Sequence, residues 1–304
     1  MKTGSDKRDV IIIGGGPAGM SAAVWCADLG LEPLLIEGNS QLGGQLFWTH
    51  NLVTNYLGSE ARNGTELAAR FAAHIERSGI ATVISRSVTA ADLKSGTVSF
   101  GNETLNAEAI VIATGVRRRK LGIPGEEEFT GRGVLSSGAG ERESVRDNTV
   151  AIVGGGDAAI ENALILGEFA RKVYVIHRRN ELAARDEFLD RVHDRSNVEF
   201  VMNAVLTEIQ GGEVVERVAV KTRSGEIAAI DTDNVLIRVG VEPNTDLFAG
   251  QIDLDARGYV VVDDECRTSA SGVWAIGDVT GTKAMTIANA VGDGSIAAKS
   301  IVGR

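Results

Sequence analysis

The sequence predicts an α/β protein made of two similar units, one inserted into the other. Three observations predict it. Residues 10–13 are four β-branched residues in a row, followed by Gly14, Gly16 and Gly19 in G-x-G-x-x-G spacing. The pattern recurs at residues 150–153, an apolar run followed by Gly154, Gly156 and Ala159. After the second unit come a strand ending in Gly277-Asp278 and a last helix, about 286–301, which return to the first. Together these give two Rossmann-like dinucleotide-binding domains of three-layer ββα type, the second inserted into the first.

The first run reads as a short buried strand. Its glycines permit a tight turn, a close approach of backbone to a pyrophosphate, and close packing of helix on strand. The helix that follows, about 16–29, turns its free N–H groups toward the phosphate. A second strand, 33–37, ends in Glu37, at about the distance expected for a ribose contact. Residues 66–77 carry Leu67, Phe71 and Ile75 at helical spacing. Strands are expected at 80–84, 96–100 and 107–113. In the second unit a helix is expected to about Ala170, then a strand at 172–176. Further strands are expected at 198–206, 214–222 and 234–239, with turns at Gly211-Gly212 and Ser224-Gly225. Residues 259–262 and 268–278 are the last strand candidates.

A chain of 304 residues suits two domains. With 43% hydrophobic and 24% charged residues, the composition is that of an ordinary soluble globular protein. A net charge of −10 argues against a nucleic-acid partner. Two cysteines, Cys26 and Cys266, make no disulfide framework, and a reducing cytoplasm is the expected location. Residues 10–26 are uncharged, yet Gly14, Gly15, Gly16 and Pro17 interrupt them. They read as a nucleotide loop rather than a signal or a membrane span. No metal-binding spacing, nucleophile elbow or Walker loop competes with this reading.

Two fingerprints imply two nucleotides, one a flavin dinucleotide and one a nicotinamide dinucleotide. The second site lacks the acidic residue after its second strand. It has His177-Arg178-Arg179 there, with Arg185 further on. Arginines suit a ribose 2′-phosphate, so the expected nucleotide is NADPH. His177 is read as part of this wall, and His74 and His193 as helix-surface residues.

Eight motifs in order identify a family. They are Gly14 to Gly19, Gly43-Gly44-Gln45-Leu46, Ala113-Thr114-Gly115, Ile123-Pro124-Gly125-Glu126, Gly154-Gly155-Gly156-Asp157, His177-Arg178-Arg179, Pro243-Asn244-Thr245 and Gly277-Asp278. The chain resembles the low-molecular-weight thioredoxin reductases over essentially its whole length. The resemblance implies an FAD domain from 1–119 and 246–304, an NAD(P)H domain from 120–245, a homodimer, and a rotation between domains. It places Gly14, Gly16, Pro17, Ala18 and Gly19 at the FAD pyrophosphate and Glu37 at the adenosine ribose. Gly44, Gln45, Leu46, Asn55, Val88, Ala113, Thr114 and Gly115 would complete the FAD site, with Gly277, Asp278, Thr286 and Ile287. For NADPH it implies Gly154, Gly156, Asp157, Ala158, Ala159, His177, Arg178, Arg179, Arg185 and Gly240.

One departure changes the expected chemistry. The family carries a Cys-x-x-Cys pair that takes electrons from the flavin, and here Ser137 and Gly140 stand in those places. Neither residue can form a disulfide. Cys26 and Cys266 read as small core residues. Met285-Thr286-Ile287 replaces the family's Arg-Gln-Ala, and the loop 47–55 is one residue longer than usual. In and beside that loop, Trp48 or Tyr56 could stack on the flavin and His50 could donate a proton; aromatic filling of the core is the equal alternative. Arg117-Arg118-Arg119-Lys120 is a basic run in an acidic protein. It reads as a solvated stretch, or as a patch for an acidic electron carrier or a nucleotide phosphate.

The expected activity is that of an FAD-dependent oxidoreductase passing electrons between NADPH and a non-disulfide acceptor. A ferredoxin or flavodoxin, a quinone, or iron would serve. The alternatives are a thioredoxin or small-disulfide reductase with atypical thiol use, and an FAD-binding redox sensor or interaction protein with little turnover.

Overall fold

The computed structural model describes residues 7–303. They form two compact units, residues 7–117 with 242–303, and Arg118–Val241. The crossings fall slightly before the expected 119/120 and 245/246.

The first unit opens with β1 (Lys7–Ile13), α1 (Pro17–Asp28) and β2 (Pro33–Ile36). It continues with α2 (Gly64–Arg77), β3 (Ala81–Val83), β4 (Val88–Asp92), β5 (Thr97–Phe100), β6 (Glu103–Ile112) and β7 (Val116–Arg118). The strand order is β3-β2-β1-β6-β5-β4. The strands β3, β2, β1 and β6 run parallel, while β6, β5 and β4 form an antiparallel meander.

Alternate residues of β1 enter opposite cores. Val10 and Ile12 pack with Ala22, Ala23 and Cys26 of α1, while Ile11 and Ile13 pack with Val98 and Phe100 of β5. A strand covered on both faces has no polar side to show, which is why its sequence is an unbroken apolar run. Burying each isoleucine contributes about 1.5–3 kcal/mol. Asn63 caps α2 by accepting the Glu66 amide at 2.9 Å, and α2 buries Leu67 and Ile75 while His74 faces solvent.

The second unit repeats the plan. Its elements are β8 (Val134–Leu135), β9 (Thr149–Val153), α3 (Asp157–Leu166), β10 (Lys172–His177), α4 (Asp186–His193) and β11 (Val198–Met202). Then come β12 (Ala204–Gly211), β13 (Val215–Thr222), β14 (Ile227–Asp231) and β15 (Asn234–Ile237). A parallel sheet β11-β10-β9-β15-β8 carries α3 on one face and the meander β12-β13-β14 on the other. Again β9 alternates, with Val150 and Ile152 facing α3 and Ala151 and Val153 facing the meander.

The chain returns through β16 (Val241–Pro243), which pairs with β7. Next, β17 (Val273–Ala275) lies parallel to the Ile110–Ile112 end of β6. The last helix, α5 (Ile287–Val302), packs on α1, and Ser21 Oγ donates to the Val291 carbonyl at 2.7 Å. A Cβ at Gly294 would meet the Ala22 amide nitrogen at 2.6 Å, so the two helices approach only because that position is glycine.

Some expected elements differ. The strand expected at 198–206 is two strands, broken by Asn203 at φ 54°. Residues 259–262 make only one isolated bridge, Val260 to Leu254. Only Val273–Ala275 of the stretch 268–278 is strand, and Gly277–Thr280 is a 3-10 turn. The helix expected to reach Ala170 ends at Leu166 with Gly167 as its cap. The elements β4 and β14 were not expected from the sequence pattern; they are short edge strands with mostly exposed side chains.

Candidate functional site

In the first unit a cavity of about 780 Å³ opens along the carboxyl ends of the parallel strands. That is within the range of small-molecule and cofactor sites. Gly14, Gly16, Pro17 and Ala18 line one wall, at the N-terminus of α1. Gly14 sits at φ 111°, and a Cβ there would collide with the Ala113 carbonyl. By contrast, nothing lies within 4 Å of the place a Cβ would take at Gly16. The first glycine makes the turn and the second leaves open space before the unpaired N–H groups of α1, which suits a pyrophosphate.

Glu37 leaves β2 and is buried beside this loop. Its Oε2 accepts the Gly15 amide at 2.7 Å, and its Oε1 accepts the Asn39 backbone and side-chain N–H groups, both at 2.7 Å. A carboxylate has about four acceptor positions, so one or more remain for a ribose diol. Asn39, Arg86, Ser87 and Val88 continue the lining at that end.

Toward the other end stand Gly44, Gln45, Leu46, Phe47 and Trp48, then Ala113, Thr114, Gly115, Asn244, Asp278, Thr286 and Ile287. Two of the sequence motifs are bonded reciprocally here. Thr114 Oγ1 donates to the Asn244 carbonyl at 2.8 Å, and Asn244 Nδ2 donates to the Thr114 carbonyl at 2.8 Å. Gln45 Nε2 donates to Asp278 Oδ2 at 3.2 Å. Asp293, on α5, supports the Gly277-Asp278 corner. Its Oδ2 accepts the Gly277 amide at 3.0 Å and the Asn289 side chain at 3.1 Å. Burial raises the carboxyl pKa of both Asp278 and Asp293 above the ordinary carboxylate value. Thr286 caps α5 by accepting the Asn289 amide at 3.2 Å, which aims the helix N-terminus at this end of the cavity.

Other candidates lie elsewhere. Gly19 is a packing glycine, since a Cβ there would strike the Gly14 carbonyl. Asn55 and His50 are exposed and outside the lining. Tyr56 packs edge-on against Phe71 with ring centroids 5.7 Å apart, filling the space under the loop. Of the loop aromatics singled out in the sequence, Trp48 reaches the cavity. The structure adds Phe47, Arg86, Ser87, Asn244 and Met285 to the lining. Asn244 and Met285 carried a signal in their motifs; Phe47, Arg86 and Ser87 carried none as cavity walls.

In the second unit Gly154 turns at φ 145°, with the Arg238 carbonyl where its Cβ would be, and Gly156 again opens to free space. Asp157 begins α3 and holds Arg185 twice, accepting its amide at 2.8 Å and its Nε at 2.9 Å. Arg185 also lies 4.5 Å from the centre of the Phe188 ring. Arg178 and Arg179 are exposed beyond the end of β10. His177 is different: its ring packs beneath Gly155, and its Nε2 is buried without a hydrogen-bond partner. Burial lowers its pKa, so it serves the loop as a packed imidazole rather than as a cation. Gly240 has a positive φ of 99°, and its carbonyl accepts the Arg119 amide at 3.0 Å.

The places of the expected cysteine pair hold a closed turn. Ser137 Oγ accepts the Gly140 amide at 3.0 Å, and Glu141 Oε2 accepts the Ser137 amide at 2.6 Å. Cys26 and Cys266 are buried, unpaired members of one core cluster on the α1 and α5 face, away from the cavity lining. Burial pushes each thiol up to about 12. The basic run is largely engaged. Arg117 pairs with Glu242 at 2.8 Å and Asp246 at 2.6 Å, and Lys120 pairs with Glu127 at 2.6 Å. Among the described residues no helix is long and apolar enough to cross a membrane.

The comparisons with known proteins agree with this geometry. The family profile described as pyridine nucleotide-disulphide oxidoreductase matches residues 8–294. The thioredoxin reductase of Streptomyces coelicolor is 36% identical over 301 residues, covering 97% of this chain and 92% of that protein. The crystal structure of Lactococcus lactis thioredoxin reductase, in its FR conformation, superposes with a TM-score of 0.87 at 33% identity. It covers 97% of this chain and 98% of that one. The bacillithiol disulfide reductase of Bacillus cereus shares the fold, with a TM-score of 0.83 at 22% identity and 98% and 99% coverage. Proteins of the family typically bind FAD, use NAD(P)H and form homodimers. The chain belongs to the pyridine nucleotide-disulphide oxidoreductase family, as a thioredoxin-reductase-like flavoprotein without the redox cysteine pair.

Proposed function

We propose that the protein is an FAD enzyme that uses NADPH and delivers electrons to an acceptor that is not a disulfide. The observation that carries this is the turn after β8, where Ser137 and Gly140 occupy the places of the family's cysteines. FAD, when bound, supplies a hydride acceptor that can release electrons singly or in pairs. The chain's own residues fit it. The α1 N-terminus beyond Gly16 would take the pyrophosphate, Glu37 the adenosine ribose, and Asp278 with Gln45 the ribityl end. The N-terminus of α5 at Thr286 would favour negative charge near the ring. Arg178 and Arg179 would hold the 2′-phosphate of NADPH, and Gly154 to Ala159 its pyrophosphate.

Thiol chemistry at another place is disfavoured by Cys26 and Cys266. A reactive cysteine must be a thiolate and accessible, and these are buried with raised pKa values. We read the chain as a homodimer. The acceptor class is a ferredoxin or flavodoxin, a quinone, or ferric iron. Anaerobic mixing of the yellow holoprotein with NADPH, followed at the flavin absorbance, tests the reading. Bleaching that is then reversed by one of these acceptors supports it. No bleaching, or recovery only with a disulfide substrate, would sink it.

A further inference from the structure

An enzyme without a dithiol relay must let its acceptor reach the flavin ring itself. The walls at the ring end of the first unit's cavity therefore bear on what the acceptor is. Two elements form them, the 3-10 turn Gly44–Trp48 and the start of α5. One hydrophobic cluster underlies both. Phe47 of the turn and Ile287 of the helix pack against the same buried base, which includes Leu46 and Leu67. That shared base brings Trp48 and Met285 to one end of the cavity. Each lines it, and each is 39% exposed.

Both side chains depart from the resembling family. Met285 stands where the family has an arginine, and Trp48 lies in the loop that is one residue longer than usual. A cation has given way to an apolar thioether, at the same end as an indole. An indole offers a flat face for stacking, and a thioether adapts to a ring placed against it. The polar side chains nearby hold one another: Gln45 is bonded to Asp278 at 3.2 Å, and Thr286 accepts the Asn289 amide at 3.2 Å. An apolar wall with a few polar points suits a small flat molecule.

Charge separates the acceptor classes. With a net charge of −10, the chain repels an acidic electron carrier or an anionic ferric chelate. The basic run that would offset this is engaged with acids, Arg117 with Glu242 and Asp246, and Lys120 with Glu127. A neutral quinone meets no such repulsion, and its flat ring matches the indole and thioether wall.

We propose that the acceptor is a neutral quinone, held against Trp48 and Met285. This rests on the reading that electrons leave to an acceptor other than a disulfide, and it narrows that acceptor to one class. In the net reaction NADPH, a proton and a quinone give NADP+ and a hydroquinone. NADPH loses a hydride. The quinone gains that hydride's two electrons and one proton, and a second proton from solvent.

The test is equilibrium dialysis of duroquinone, a neutral and fully methylated quinone, against the oxidised FAD-loaded protein without NADPH. The FAD content of every variant is measured, and binding is expressed per FAD. Saturable binding is expected. Trp48→Ala should weaken it about tenfold, and Trp48→Phe, which keeps an aromatic face, should restore most of the loss. Met285→Arg should weaken duroquinone and strengthen anthraquinone-2-sulfonate, an anionic quinone. This variant decides the matter if Trp48→Ala releases its FAD. If the two side chains served the flavin alone, the variants would lose FAD while the loaded fraction bound duroquinone unchanged. That result, or no saturable binding, would overturn the proposal. Dialysis involves no turnover, so the two readings fail separately. If a ferredoxin restores the NADPH-bleached flavin and duroquinone does not bind, this proposal falls and the functional reading stands. Recovery with a disulfide alone refutes the functional reading, and this proposal with it.

Discussion

Glu37 Oε2 and the Gly15 amide lie 2.7 Å apart, which joins the end of the second strand to the middle of the glycine loop. One buried carboxylate braces the loop and lines the cavity. Glu37→Ala would leave the Gly15 and Asn39 donors without this acceptor. The expected loss is about 1–3 kcal/mol of stability in the cofactor-free protein. FAD affinity should fall as well. Glu37→Gln, which keeps a carbonyl oxygen, should do less on both counts. Thermal melting without FAD and fluorescence titration with FAD measure the two effects.

Much of the first site is legible in the sequence because its chemistry is local. Gly14, Gly16 and Glu37 sit at fixed spacings set by one strand–helix–strand unit, and all three line the cavity. Thr114 and Asn244 were visible as separate motifs, but their reciprocal hydrogen bonds join parts of the chain 130 residues apart and follow from no local spacing. His177 lies next to two exposed arginines, so the pattern groups it with them. The structure separates it, because the alternation of β10 turns its ring inward under Gly155. The meeting of Arg118 with Arg238 was hidden for another reason: Arg118 belongs to the basic run at the end of β7, Arg238 follows β15 in a different sheet, and only the tertiary fold brings both onto the Ser136 carbonyl.

The two cysteines should be silent toward reagents in the native state. With both thiols pushed up to about 12 by burial, almost no thiolate forms at pH 8. A chromogenic disulfide reagent should therefore label neither cysteine until denaturant is added, and then both. The folded pKa is raised, so the stability these thiols contribute is complete below the unfolded thiol value, near 8.5. It declines as pH rises from there toward 12. Rapid labelling of the native protein would contradict the burial argument.

Selection of NADPH over NADH should rest on Arg178 and Arg179 rather than on Arg185. The exposed pair can reach a 2′-phosphate, whereas Arg185 is held by Asp157 and stacked on Phe188. Replacing Arg178 and Arg179 together by Ala should cost about 1.5–3 kcal/mol of NADPH binding, roughly tenfold to a hundredfold, and little of NADH binding. Arg185→Ala should change the two affinities by similar factors. Fluorescence titration with each nucleotide measures the ratio.

Asp293 should make the cofactor-free protein's stability depend on pH in a defined direction. Burial raises its pKa, so ionisation is disfavoured in the fold. Its contribution is greatest where it is protonated and is lost as pH rises through the folded value. Asp293→Asn keeps an oxygen for the Gly277 amide and removes the charge. The variant should melt higher than the wild type at neutral pH, and that gap should shrink as the solution is acidified. A gap that widens on acidification would show that the carboxylate is stabilised as an anion.

The central claim is that the flavin is the only store of electrons in this enzyme. A dithiol holds two electrons in addition to the flavin's two, so the capacity of the holoprotein reports directly whether a redox disulfide exists. Anaerobic titration of the FAD-loaded protein with dithionite, followed to full bleaching at the flavin absorbance, counts that capacity. The account predicts two electrons per FAD, with the same count after Cys26→Ser and Cys266→Ser are combined. Four electrons per FAD, falling to two in the double variant, would contradict it.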